Sequence, residues 1–384
     1  MRENAMKRLV SGKQILVCVG PGGVGKTTAA AALGVLAARN GLRTLVCTID
    51  PAPRLADALG VPDLGPDPRS LAPETANTLG IEAPGSLQAV RVDTACAFDR
   101  LVKEQVTDLV LRARILANPL YRQMTENLTG AQEYAATLLL FELQRSQAYD
   151  LIVLDTPPTA NALDFLATPH RLAEAISSPA LQWLAGRNAK TRRFSLQSLT
   201  AGGALVLRRA GKLVGSAFLD DLGAFLHDIR DVLGAFLARA RDIETMLQSP
   251  NVGFLLVLTP ETAAINEALY FAGHLRRAGT SLAGLVANRV HAPPSLIEAQ
   301  GIRAGLAALP ALADLEPAQL DAAAVQFAEL GSYLAHISEQ QQKELARLVA
   351  QAPGIPLTRV PLLPHDVSNL ESLKAVADCL AAAE

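Results

Sequence analysis

The stretch "ILVCVGPGGVGKTT", residues 15–28, decides the fold. Its first five residues are an apolar run rich in β-branched side chains, which reads as a buried strand. Gly20, Gly22, Gly23 and Gly25 then crowd into six positions. Glycine accepts positive φ and close approach of other groups, so the chain can turn sharply here. Lys26, Thr27 and Thr28 open a helical pattern, "KTTAAAALGVLAARNG", closed by Asn and Gly. Gly20, Gly25, Lys26 and Thr27 meet the pattern GxxxxGK[ST] in the strand–turn–helix context that a phosphate-binding loop requires. Backbone N–H groups over Gly22, Gly23, Val24, Gly25, Lys26, Thr27 and Thr28 are expected to converge on phosphate oxygens beside the helix N-terminus. Lys26 would reach the β- and γ-phosphates and the Thr27 hydroxyl would hold Mg²⁺. ATP or ADP with Mg²⁺ is therefore the expected ligand.

Further apolar runs lie outward from this loop: "TLVCTID" (44–50), "LQAVRVD" (87–93), "DLIVLDT" (150–156), "VGFLLVLT" (252–259), "LAGLVANRV" (282–290) and "PLTRVPL" (356–362). Near-continuous hydrophobicity fits strands covered on both faces, and helical patterns separate them. The expected fold is a doubly wound α/β P-loop NTPase with a mainly parallel sheet and an inserted α-helical subdomain. Asp155 ends the apolar run of "DLIVLDT", where an acid can bind a metal-held water opposite Thr27. Asp50 ends the neighbouring run in "CTIDPAPRLADALG", at the carboxyl edge where such sheets bind ligands. It could orient the attacking water or join the metal shell; a plain turn residue before Pro51 is the other reading.

Three stretches are too long for simple crossovers. A single ATPase domain is expected over 1–384, with its core at about 1–93, 149–165, 250–292 and 353–384. Residues 94–148 read as two or more helices interrupted near "ANPLYRQ", and 166–249 join them in one helical subdomain. Within the latter, Leu222, Leu226, Ile229, Leu233, Phe236, Ala240, Ile243 and Leu247 follow 4-3-4-3 spacing, which predicts one helix of about eight turns. Phe218, Phe225 and Leu237 lie off that seam, where they could line a groove or pack a second helix. Residues 293–352 form an extra helical insert.

Composition excludes several classes. Formal net charge is −2, so no global field favours nucleic acid. No uncharged apolar stretch of about 18 residues occurs, so an integral membrane protein is not expected. The N-terminal "MRENAMKRLVSGK" lacks an apolar signal core. Cys18, Cys47, Cys96 and Cys379 make no CxxC pair, so no structural zinc is expected. Cys18 and Cys47 read as buried thiols in strands, which suits the reducing cytoplasm.

The motifs in series resemble one family. Residues 20–28 resemble the "GKGGVGKTT" loop of the arsenite-pump ATPase and of the guided-entry ATPase that carries tail-anchored membrane proteins. "TIDPAPRLADALG" is similar to that family's first switch and "VLDTPPTANALDFL" to its second. "LTGAQEYAATLLLFEL", "VANRV" and "RVPLLPHDVSNLESLKAVADCL" resemble later family segments in the same order. The resemblance implies a dimeric Mg²⁺-dependent ATPase whose nucleotide sites face each other. It also implies that Asp50 orients the hydrolytic water, that Asp155 and Thr27 serve Mg²⁺, that Asn288 and Pro361 contact the adenine, and that the helical subdomain binds a hydrophobic client helix.

The departures narrow the function. Pro21 stands where the family has a lysine that reaches into the partner's site. Proline carries no charge and no N–H. Three readings stay open: slow hydrolysis, replacement by another cation such as Arg54, or a heterodimer with a lysine-bearing paralogue. In the last, this chain could be a catalytically weak, nucleotide-sensing subunit. Arsenite pumping is disfavoured, because the cysteines do not gather as they do there. Asn161 occupies the histidine position of the second switch. Residues 175–219 hold seven Lys/Arg and no acid, around Trp183 and apolar pieces. They read as a lid over a client helix, as a peripheral contact with anionic lipid, or as a solvated surface. A partition or positioning ATPase is the competing class, but the C-terminal "SLKAVADCLAAAE" is not the basic amphipathic helix it needs. An iron–sulfur reductase would need two cluster cysteines that this pattern does not provide.

Overall fold

The computed structural model describes residues 4–127, 130–157, 216–294, 299–312, 315–367 and 369–382. Eight strands form one sheet: β1 Ile15–Val19, β2 Arg43–Thr48, β3 Arg69–Ser70, β4 Ser86–Arg91, β5 Leu151–Asp155, β6 Val252–Leu258, β7 Leu282–Val290 and β8 Leu357–Pro361. Their order is β3-β4-β2-β5-β1-β6-β7-β8. All neighbours pair in parallel except β3 with β4. The apolar runs predicted these strands because both faces are covered: every residue of β1, β5 and β6 is buried. The short edge strand β3 carries no such pattern, since both its residues are exposed. The sheet is therefore the doubly wound, mainly parallel sheet of an α/β P-loop NTPase. β1 sits centrally, with the chain building outward on both sides of it. Such a switch in strand order opens a crevice at the carboxyl ends.

Helices cover both faces. Ala5–Gly12, Lys26–Arg39 and Leu370–Ala381 pack on one, around Leu16, Cys18, Val46, Leu33 and Leu373. Lys26–Arg39 is buried along most of its length, which its alanines permit. Gly34 lets it lie on the sheet, because a Cβ there would come within 2.5 Å of Val46. Cys18 and Cys47 are fully buried, and that burial pushes both thiols far up, out of the reactive range.

The other face carries Thr94–Gln105, Leu109–Ala117, Pro119–Asn127, Ala131–Ser146, Arg230–Leu247 and Thr262–Arg277. Asp93 caps the first of these by accepting from Cys96 N at 2.8 Å, and Asp108 caps the second by accepting from Val110 N at 2.8 Å. The expected interruption falls at Asn118–Pro119. Phe98, Tyr134 and Phe236 stack with centroids 4.7–6.0 Å apart, joining helices from both sides of β5 in sequence.

One expectation needs correction here. The seam from Leu222 to Leu247 lies on two helices, Ser216–Asp228 and Arg230–Leu247. Ile229 separates them with ψ of 6°, well away from the helical value, although Leu233 N still donates to its carbonyl at 2.8 Å. Phe225 lines no groove; it is buried in the core with the seam residues. Leu237 is half-buried. The Phe218 side chain, Asn161, Trp183 and the basic residues from Arg187 to Lys212 lie outside the described residues.

The insert after β7 contains Ala299–Ala307 and a 35-residue helix, Pro317–Gln351. Glu316 and Gln319 form a capping box at the start of the long helix. Its C-terminal half is anchored by Leu345 and Leu348 in the core and by Ser338 and Gln341 on His291, just beyond β7. Farther from that anchor, Val325, Phe327, Leu330 and Tyr333 are each at least half exposed. No described helix is long and apolar enough to cross a membrane.

Gly20 fixes how β1 enters the loop. Its φ is 155°, and a Cβ there would lie 1.9 Å from the Val257 carbonyl oxygen in β6. Gly12 has open space around it. Gly20→Ala should therefore destabilise the chain by about 1–3 kcal/mol or more, and Gly12→Ala by far less. Denaturant midpoints of the two variants check this.

Candidate functional site

The loop after β1 folds as its glycines allow. Gly23 and Gly25 have φ of 76° and 92°, and Gly25 is the N-cap of Lys26–Arg39. Gly23, Gly25, Lys26, Thr27 and Thr28 line a cleft of about 940 Å³ at the carboxyl edge of the sheet. Gly22 is exposed beside them, whereas the Val24 side chain turns into the core. Asp50 and Thr156, from the ends of β2 and β5, line the same cleft.

Asp155 anchors the arrangement. It is buried at the end of β5, level with Cys18 of β1 and Thr48 of β2. Its Oδ2 accepts from Thr27 Oγ1 at 2.7 Å and from Thr48 Oγ1 at 3.1 Å. Its Oδ1 is buried with no hydrogen-bond partner. Burial raises the Asp155 pKa to about 6, against the opposing pull of Thr27, Thr48 and Lys26. A buried carboxylate oxygen left open beside a threonine hydroxyl suits a hard divalent cation. Thr27 and Asp155 thus fit Mg²⁺, with Asp155 acting directly or through a bound water. Among the described residues no group of three or more His, Cys, Asp or Glu could hold a metal.

Lys26 is largely buried, and its Nζ donates to the Pro21 carbonyl at 2.7 Å. Burial lowers its pKa, while Asp155 and Glu267 act to raise it. Asp50 sits in a turn: its Oδ1 accepts from Ala52 N at 2.9 Å, and its backbone N–H donates to Thr48 Oγ1 at 3.2 Å. Asp50 Oδ2 lies 3.4 Å from the Arg54 guanidinium.

A second cavity of about 250 Å³ adjoins the first, sharing Gly25, Thr28 and Val367 with it. Asn288 and Pro361 both line it, so the two residues expected at the adenine are brought together. Asn288 Nδ2 donates to the Val24 carbonyl at 2.8 Å, tethering β7 to the phosphate loop. A Cβ at Gly25 would come within 2.3 Å of that amide nitrogen. Sequence reading missed Thr48, Arg289 and His365. Thr48 could have been found from its place two residues before Asp50 at a strand end. Arg289 has φ of 58° and lines the second cavity with His365.

A sequence profile of the family described as "Anion-transporting ATPase" matches residues 13–195. The putative arsenical pump-driving ATPase 1 of Aquifex aeolicus is 22% identical over 370 residues, 96% of this chain and 78% of that protein. The ATPase GET3 of Malassezia globosa is 24% identical over 279 residues, 73% of each chain. Residues 13–195 thus resemble the anion-transporting ATPase family. An uncharacterised Streptomyces coelicolor protein is 39% identical over 163 residues, 42% of this chain. That match spans only 38% of the Streptomyces protein's length. The matched residues 13–195 include the glycine-rich loop, Asp50 and Asp155.

The strained protonation of Asp155 has a measurable consequence. Its pKa in the folded chain, about 6, lies above the ordinary carboxylate value. The folded state therefore holds the proton more tightly than the unfolded state does. The resulting stabilisation is complete below about pH 4 and is lost as the pH rises through 6. Its size is on the order of 2–3 kcal/mol. Asp155→Asn cannot titrate, so nucleotide-free denaturation should show it gaining on the wild type by about that amount between pH 4 and 7. A pH-independent difference would contradict the desolvation argument.

Proposed function

We propose that the chain is a Mg²⁺-dependent ATPase that works as a dimer, with hydrolysis resetting its affinity for a hydrophobic client. The observation that carries this reading is the Thr27–Asp155 pair, with its open carboxylate oxygen, at the mouth of a glycine-rich loop. The match of residues 13–195 to the anion-transporting ATPase family and the likeness to two named ATPases support it. Gly22 through Thr28 hold the phosphates with backbone N–H groups. Lys26 exchanges the Pro21 carbonyl for the β- and γ-phosphates. Thr27 and Asp155 hold Mg²⁺, which neutralises charge on the phosphates. Asn288 and Pro361 flank the adenine. Asp50 orients the attacking water, and Thr48 fixes the Asp50 turn through its backbone N–H.

The Aquifex relative is named as pump-driving and the Malassezia relative as GET3. Because this chain gathers no cysteines for arsenite, a hydrophobic helical client is the better-supported cargo. The exposed apolar residues of the long helix support contact with a second protein surface. The reading places the protein in the cytoplasm. Pro21 also favours a second reading, in which turnover is weak and the dimer partner is a paralogue with its own cation.

Two substitutions test the roles. Lys26→Ala should abolish ATP binding. Asp50→Asn should retain Mg·ATP affinity within about threefold while hydrolysis falls at least about a hundredfold. Isothermal titration and steady-state phosphate release separate the two effects. Equal loss of binding and turnover in Asp50→Asn would remove Asp50 from its assigned role.

A further inference from the structure

We infer that Arg54 is the catalytic cation of this cleft, contacting the γ-phosphate of the nucleotide bound by the same chain. The inference rests on the ATPase reading above and goes beyond it by naming the residue that senses the third phosphate. Phosphoryl transfer leaves negative charge on the γ-phosphoryl oxygens, and a cation placed against them accelerates the reaction by about 10³–10⁵. Among the described residues lining the cleft, only Lys26 and Arg54 carry a positive charge. Lys26 belongs to the loop itself and is held on the Pro21 carbonyl. Pro21 adds no charge of its own.

Arg54 is weakly held. Its side chain is 71% exposed, and its contact with Asp50, at 3.4 Å, is an exposed ion pair of the weak kind. The two cations also share one field: burial is the main cause of the lowered Lys26 pKa, and the Arg54 charge adds to it.

The ion pair with Asp50 links the two residues chemically. While Arg54 rests on Asp50, one carboxylate oxygen is occupied by the guanidinium. When Arg54 turns to the γ-phosphate, that oxygen is released to accept a hydrogen bond from the attacking water. ADP has no third phosphate to draw Arg54 away. The same residue therefore distinguishes ATP from ADP and frees the water-orienting carboxylate.

The test compares the wild-type chain with Arg54→Ala and Arg54→Lys, using Mg²⁺ with ATPγS and with ADP. Arg54→Ala should lower the ratio of ATPγS to ADP affinity by about tenfold or more, because a charge-assisted contact is lost only with the triphosphate. ADP affinity should stay within about threefold, and hydrolysis should fall at least about a hundredfold. Arg54→Lys should recover part of the discrimination, since it keeps the charge but not the planar fork. The exposed head implies an unchanged melting midpoint, which guards against a folding effect. A wild-type chain that prefers ATPγS, with Arg54→Ala retaining both that preference and its turnover, would overturn this inference alone. A wild-type chain that binds neither nucleotide would overturn the ATPase reading and the inference together.

Discussion

The buried carboxylate of Asp155 is the constraint on which the site depends. Three parallel strands meet at its level, because Cys18 and Thr48 pair in register with it from either side. Burying an ionisable group this deeply is unfavourable unless it is bonded or protonated. Thr27 and Thr48 provide two of the bonds. The first pulls the start of the phosphate-loop helix onto the sheet. The second reaches Asp50, because the Thr48 hydroxyl oxygen accepts the Asp50 N–H. A chain of hydrogen bonds thus runs Thr27–Asp155–Thr48–Asp50, joining the glycine-rich loop to the turn that carries Asp50. Any group that draws on the open Asp155 oxygen acts at the centre of that chain.

A second tether sets the other end of the cleft. Asn288 holds the Val24 carbonyl across β6, between residues 264 positions apart in sequence. The phosphate loop is therefore gripped from both sides, by β5 through Thr27 and by β7 through Val24. Gly25 must lack a side chain for the second grip, since its position is nearly in contact with the Asn288 amide. The adjoining cavities share residues at this point, so one elongated ligand with a charged end and a flat end would occupy both.

Much of this was legible in the sequence because its signals are local. A strand, four clustered glycines and Lys-Thr-Thr lie within 14 residues, and Asp50 and Asp155 each end an apolar run. Parallel strand direction and helical cover then follow from burial on both faces. What was not legible depends on tertiary contact. The bond from Lys26 to the Pro21 carbonyl and the Asn288 tether depend on how side chains meet in the folded loop, which no spacing rule gives. The edge strand β3 is two exposed residues long and leaves no pattern. The break at Ile229 is also invisible, because the apolar seam continues through it and only the backbone ψ changes. Phe225, off the seam, packs in the core, the second of the two readings its position left open.

The most direct test of the account is a crystal structure of the chain grown with Mg²⁺, ADP and aluminium fluoride. The account predicts phosphates in the Gly22–Thr28 loop and Mg²⁺ between Thr27 and the Asp155 side. It also predicts adenine between Asn288 and Pro361, with Asp50 facing the fluoride group. Nucleotide bound elsewhere, or in this cleft with the metal away from both Thr27 and Asp155, would contradict it.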